Sequence, residues 1–138
     1  MVKKLTTFTD GGARGNPGPA GIGIVIMEGE KVVVSFGRYI GETTNNQAEY
    51  QALIAALERA SELGAKEVEC KLDSELVVKQ MRREYKVRDQ GLQSLYLRAY
   101  NLSTGFAKVS FHHIRREFNS AADAEVNKAI DCHLQNLQ

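Results

Sequence analysis

Between residues 4 and 39 three apolar runs follow one another with only turns between them, whereas each later strand-like run comes after a helical stretch. That change of connection restricts the chain to a mixed sheet: short links favour antiparallel neighbours, and helical crossovers suit parallel ones. The first two runs, residues 4–9 and 21–27, are separated by the turn-rich Gly11-Gly12-Ala13-Arg14-Gly15-Asn16-Pro17-Gly18-Pro19. A third, residues 31–39, follows a Glu28-Gly29-Glu30 turn. Residues 68–72 and 108–113 supply the parallel pair. The expectation is an α/β fold with a mixed five-stranded sheet, three antiparallel strands and then two parallel ones, flanked by helices.

Helical segments fill the intervals. Thr44 and Gln47 stand at capping-box spacing, so a helix is expected from there to Gly64, with Leu53, Ile54, Ala56, Leu57 and Ala60 as apolar positions. Others are expected from Ser74, across residues 91–102 and across residues 120–137. No repeat, linker or low-complexity tract divides the chain, and residues 1–138 are expected to form one domain.

Composition narrows the function classes more than it chooses among them. With 138 residues and 43% hydrophobic content there is enough apolar material for one core. A formal net charge of +1 means that attraction to a polyanion must come from a local basic surface. No apolar run is long enough to cross a bilayer, and Met1-Val2-Lys3-Lys4 leads into a strand-like segment, so the expected location is cytoplasmic, with no membrane partner and a monomeric state. Cys70 and Cys132 lack CxxC spacing and are expected to be buried free thiols, a bridge between them being left open.

Four acids occupy positions where solubilising groups are not needed. Asp10 and Asp73 each close a strand, and if those strands are parallel neighbours both carboxylates face one crevice at the carboxyl ends of the sheet. Glu49 extends the Leu53, Ala56, Ala60 stripe toward the helix start, and Asp123 begins a stripe through Asn127, Ile130, Leu134 and Leu137. Both helices should therefore aim an acid inward. Any one of these acids alone reads equally well as a cap or a solvated group; the four together do not. Converging carboxylates repel and resist desolvation unless cations neutralise them. Oxygen donors without His or Cys suit magnesium or manganese, and two such ions about 3.5–4 Å apart can serve the attacking and leaving oxygens of a phosphodiester.

These residues also carry a resemblance. The stretch from Thr9-Asp10-Gly11-Gly12 through Asn16-Pro17-Gly18-Pro19-Ala20-Gly21 resembles the opening signature of type I ribonuclease H. Thr43-Thr44-Asn45-Asn46-Gln47-Ala48-Glu49-Tyr50, Leu72-Asp73-Ser74-Glu75-Leu76-Val77 and the run from His113 to Asp123 resemble its later motifs, in order and over nearly the whole chain. The resemblance implies a ribonuclease H-like fold and a two-metal endonuclease acting on the RNA strand of an RNA–DNA hybrid, with Mg2+ or Mn2+ as cofactor and 5′-phosphate and 3′-hydroxyl products. It also implies Asp10, Glu49, Asp73 and Asp123 as catalytic metal ligands, Asp10 bridging both ions. Asn16, Asn46 and the backbone around Gly11 and Gly12 are then expected to line the minor groove and meet 2′-hydroxyls, with Thr44 holding a DNA phosphate and Asn45 a further substrate-binding candidate; for Asn45 and Asn46 ordinary turn and cap chemistry is the alternative, compatible with binding. The alternative is a catalytically silent hybrid-binding module, against which the four intact acids count.

Several positions depart from the family pattern. The chain has no Trp and lacks the basic protrusion after the second helix, so it is similar to the shorter form found in archaea and some bacteria, for which side activity on double-stranded RNA is expected. Lys79, Arg82, Arg83, Lys86 and Arg88 are candidates to replace that protrusion, or simply a solvated helix face. Arg116 stands where many members place a histidine, and being permanently charged it can meet phosphate or product but not shuttle protons. His112 and His113 are read as structural. Glu75 replaces the usual glutamine at a substrate-binding position, and Glu125 an apolar residue, as a solvent-facing change or an outer acid.

Overall fold

The computed structural model describes residues 2–137; Met1 and Gln138 lie outside the described residues. Strands β1 (Lys4–Ala13), β2 (Gly18–Glu28) and β3 (Lys31–Thr43) lead into helix α1 (Asn45–Glu62). Strand β4 (Glu67–Leu72), helices α2 (Glu75–Met81) and α3 (Gln90–Ser103), strand β5 (Lys108–His113), a 3-10 turn (Arg116–Asn119) and helix α4 (Ser120–Asn136) complete the chain. The sheet order is β3-β2-β1-β4-β5, with β2 antiparallel to β1 and β3, and β4 parallel to β1 and β5. This is the mixed sheet that the connections demanded.

Three strand ends differ from expectation: β1 runs on to Ala13, β2 begins at Gly18, and β3 runs on to Thr43 to pair with it. Gly11, Gly12 and Ala13 remain paired with β2 through Gly11↔Ile22, Gly12↔Gly21 and Ala13↔Ala20, so Asp10 lies inside β1 instead of closing it. Glycines weaken a strand by propensity, but here they admit helices at close range. A Cβ at Gly11 would stand 2.5 Å from the Glu49 amide nitrogen of α1, and at Gly12 the nearest atom is Val126 Cγ1 of α4 at 3.8 Å. Successive strand residues face opposite sides, so α1 and α4 cover opposite faces of the sheet. On the α4 face, a Cβ at Gly23 or Gly37 would collide with the carbonyl oxygens of Ala122 and Glu125. These paired glycines form the floor on which α4 lies.

The main core lies under α1. Leu53, Ala56, Leu57 and Ala60 are fully buried against Leu5, Ile22, Ile24, Ile26, Cys70 and Leu72 of the sheet, each large aliphatic group contributing about 1.5–3 kcal/mol. Thr44 caps α1 by accepting from the Gln47 N–H, and the Gln47 side chain accepts from the Thr44 N–H, completing the box. The buried Tyr50 hydroxyl donates to Gln80 Oε1 at 2.5 Å and ties α1 to α2.

The cysteine expectation needs correction in one half: both thiols are free, but only Cys70 is buried, whereas Cys132 is exposed on α4. Cys70 belongs to the core beneath α1, and α4 covers the other face of the sheet. Among the described residues no helix is long and apolar enough to cross a membrane.

Candidate metal-dependent nuclease site

Because β1 and β4 run parallel with Thr9 opposite Leu72, the next residues, Asp10 and Asp73, come side by side where β4 ends. Asp73 directly precedes Ser74, whose side chain accepts from Val77 N–H and starts α2. Glu49, in the first turns of α1, is brought over β1 by the contact at Gly11 and accepts from the Gly11 N–H at 3.2 Å. One carboxylate oxygen from each of Asp10, Glu49 and Asp73 lies within 4.8 Å of the others. Asp123, in the first turn of α4, places its carboxyl beside Asp10. The four acids isolated from the sequence thus meet.

They line an open cleft of about 450 Å³ together with Gly11, Gly12, Arg14, Asn45, Asn46, Ser74, Arg116, Val126 and Asn127. Asp10 and Glu49 are 7% and 8% exposed, which sets the electrostatics. Burial, reinforced by the Asp73 charge, pushes the Asp10 carboxyl up to about 7. Burial and then the Asp10 charge hold Glu49 well above its ordinary value. Glu49 Oε2 is buried without any hydrogen-bond partner. Arg116 reaches Asp123, 3.6 Å away, and its side chain is 81% exposed. A buried set of hard oxygen donors with an orphaned carboxylate oxygen fits a divalent cation of the magnesium or manganese class.

The substrate-facing expectations divide. Gly11, Gly12, Asn45 and Asn46 line the cleft. Asn16 stands beside it, its Oδ1 accepting from the Asn45 N–H at 3.0 Å, while Asn45 Oδ1 accepts from the Ala13 N–H at 2.8 Å. Thr44 is occupied as the α1 cap. Glu75 is outside the cleft lining, paired with Lys79 at 2.8 Å, and this hydrogen bond lowers its pKa. Of the basic candidates, Lys79 is held by Glu75, Arg82 donates to the Phe111 carbonyl at 2.7 Å, and Arg83 stacks on Tyr100. None of the five lines the cleft. Glu125 is half-buried over Gly23 and Gly37 and is not an acid of the cleft. His112 bonds Ser110 at 2.9 Å, a structural contact, and His113 is exposed.

Three residues escaped the sequence reading. Asn119, 1% exposed, donates to the Thr9 carbonyl at 2.8 Å and fixes the start of α4 against β1. Arg14 and Asn127 line the cleft and bond each other at 3.3 Å across 113 residues of chain. Asn127 had one local signal, a polar side chain on the stripe that begins at Asp123; Arg14, inside a turn-rich stretch, had none.

Residues 8–129 match the family model described as reverse transcriptase-like. The crystal structure of RNase H1 from the halophilic archaeon Halobacterium salinarum superposes with a TM-score of 0.90 at 44% identity, covering 93% of this chain and 98% of that one. The chain belongs to the ribonuclease HI family. The N-terminal RNase H domain of Rv2228c from Mycobacterium tuberculosis gives a TM-score of 0.94 at 40% identity, covering 99% of both chains. LC11-RNase H1, solved in complex with RNA/DNA hybrid, gives 0.90 at 46% identity, covering 94% of this chain and 99% of that one. Against full-length curated sequences this ribonuclease HI family member spans less: 65% of the Halobacterium salinarum ribonuclease HI at 44% identity, and 37% of the bifunctional protein Rv2228c at 41%. Both alignments cover more than nine-tenths of this chain, 93% and 96%.

Proposed function

We infer that this family member is a metal-dependent endonuclease that hydrolyses the RNA strand of an RNA–DNA hybrid, leaving 5′-phosphate and 3′-hydroxyl ends. The observation that carries the reading is the meeting of Asp10, Glu49 and Asp73, carboxylate oxygens within 4.8 Å, in the same cleft as Gly11, Gly12, Asn45 and Asn46. The relative LC11-RNase H1, solved with RNA/DNA hybrid bound, supports the substrate class.

Asp10, Glu49, Asp73 and Asp123 would hold two Mg2+ or Mn2+ ions, which supply positive charge at the attacking and leaving oxygens of the phosphodiester. The chain's own residues do the rest. Asn45 and Asn46 present amides, which both donate and accept, as a ribose 2′-hydroxyl requires. Gly12 leaves the backbone bare at the cleft, so a sugar edge can approach closely, whereas the space beside Gly11 is taken by the α1 backbone and only its main chain lines the cleft. Arg116, exposed above Asp123, is placed to meet a phosphate or the departing product. Asn16 supports Asn45 from behind, and the remaining roles expected for Thr44 and Glu75 stay with the same reading. A cytoplasmic location, a monomeric state and activity on double-stranded RNA also belong to it.

The test is cleavage of a labelled RNA–DNA hybrid, an RNA duplex and a DNA duplex of one sequence, each with Mg2+, Mn2+ or chelator. Metal-dependent cutting of the hybrid's RNA strand is expected, and comparable cutting of the RNA duplex would widen the substrate class. Tight hybrid binding with no cutting under any metal would replace the nuclease by a silent binding module.

A further inference from the structure

Asp123 differs from Asp10 and Glu49 in how it is held. Asp10 and Glu49 are nearly inaccessible, and Glu49 is pinned by the Gly11 N–H. The Asp123 side chain is 32% exposed, and its one cationic partner among the described residues, Arg116, stands on an 81% exposed side chain at 3.6 Å. Its hydrogen bonds come from Asn127, one turn further along α4, whose Nδ2 donates to Asp123 Oδ2 at 3.4 Å and to the Asp123 carbonyl at 3.2 Å.

A terminal amide presents either its nitrogen or its oxygen to a neighbour, and only the nitrogen serves a carboxylate. Arg14 settles which. Its Nη2 donates to Asn127 Oδ1 at 3.3 Å, directing Nδ2 toward Asp123, while its Nη1 pairs with Asp131 at 2.6 Å. Asp123, Asn127 and Asp131 recur every four residues and so share one face of α4. Arg14 reaches that face from the turn after β1, lining the cleft beside the acids.

We propose that Arg14 is a positioning residue for Asp123, acting through Asn127, with Asp131 anchoring the guanidinium. The inference rests on the reading of Asp123 as part of the metal-holding set. Arg14 and Asp131 are 39% and 56% exposed, so their pair adds little to stability. Its loss should disturb the orientation of Asp123 and leave the fold intact. Polar groups that orient a ligating carboxylate typically change metal affinity about 10–100-fold when removed.

The experiment titrates Mn2+ calorimetrically into the parent and into Arg14→Ala, Asn127→Ala, the double variant and Arg14→Lys, without substrate, alongside thermal unfolding in chelator. Expected are about tenfold weaker Mn2+ binding in each single variant, an unfolding temperature close to the parent's, no further weakening in the double variant, and partial recovery with lysine, which restores a donor to Asn127 Oδ1. Asp131→Asn should weaken binding in the same direction but less. Additive losses in the double variant, or Arg14→Ala with parental Mn2+ affinity and a raised KM for hybrid, would overturn the proposal; the second would make Arg14 a direct phosphate contact. A parent that binds no Mn2+ overturns it as well. A parent that binds Mn2+ but cuts no nucleic acid refutes the proposed function, while the same titrations still decide the role of Arg14.

Discussion

Replacing Gly11 by alanine tests whether the site is assembled by backbone contact. The added Cβ would lie 2.5 Å from the Glu49 amide nitrogen and nearer still to the Ala48 carbonyl, both main-chain atoms that no rotamer change can move. An ordinary contact for such a carbon is about 3.5 Å, so the first turn of α1 must retreat by about 1 Å. Overpacking of this kind costs about 1–3 kcal/mol, which for a chain of this size lowers the melting temperature by roughly 3–12 °C. The same retreat moves Glu49 away from Asp10, and a displacement of about 1 Å at a reacting centre costs on the order of 100-fold in rate. Gly12→Ala is the control: its Cβ meets only Val126 Cγ1 at 3.8 Å, so stability should change by less than about 0.5 kcal/mol. The assay pairs chemical denaturation with single-turnover cleavage of labelled hybrid. A Gly11→Ala protein as stable as Gly12→Ala and cutting at the parental rate would refute the reasoning.

Asp10→Asn should lower turnover by about 1000-fold or more, about 4 kcal/mol in the barrier, while hybrid binding stays measurable; near-parental cutting would remove Asp10 from the chemistry. In chelator, the folded protein keeps a proton on Asp10 up to about pH 7, whereas the unfolded chain releases it near its ordinary value of 3.8. The folded state therefore binds more protons across that window, and stability should fall as pH rises through it, Glu49 acting in the same sense. Melting temperatures from pH 5 to pH 8 should decline in the metal-free parent and decline less in Asp10→Asn, with Mg2+ restoring the parent at pH 8; parallel profiles would refute this. Tyr50→Phe leaves the buried Gln80 Oε1 without its donor and should cost about 1–3 kcal/mol, measured by urea denaturation, where no change in midpoint would show the bond to be dispensable.

What was legible in the sequence was whatever depends on spacing within one element. The capping box at Thr44 and Gln47, the inward acid at Glu49 and the adjacency of Asp10 and Asp73 all follow from helix period, strand alternation and parallel pairing, and each is present. The limits of β1 and β2 were not legible. Gly11 and Gly12 carry turn propensity locally, and their strand role follows from helices that dock on them from 37 and more residues away. The stripe on α4 was legible only in part: Ile130 is buried and Asp123 and Leu134 half-buried, but Asn127 is exposed and Leu137, just past the helix end, is 71% exposed, while Val126, outside the stripe, is buried. Arg14 was illegible for the same reason as the strand ends, since its partners, Asn127 and Asp131, are brought to it by the fold.

The two helices that bring acids to the sheet are not equivalent mounts. α1 buries ten residues and encloses Glu49 among them, so apolar packing fixes that carboxylate against the repulsion of Asp10. α4 buries three, Ala122, Val126 and Ile130, on a glycine floor that supplies close contact but little side-chain interlock. Repulsion among the carboxylates falls on the less firmly packed side, where Asp123 is free to rotate unless polar groups hold it. The structure supplies those groups at both ends of the α4 segment that faces the cleft: Asn119 bonded to Thr9 before Asp123, and Asn127 bonded to Arg14 after it. Side chains fix on α4 what packing fixes on α1, so substitutions at the exposed Asn127–Arg14 end of this clasp should act on metal affinity before they act on stability, and substitutions in the α1 core should act in the opposite order.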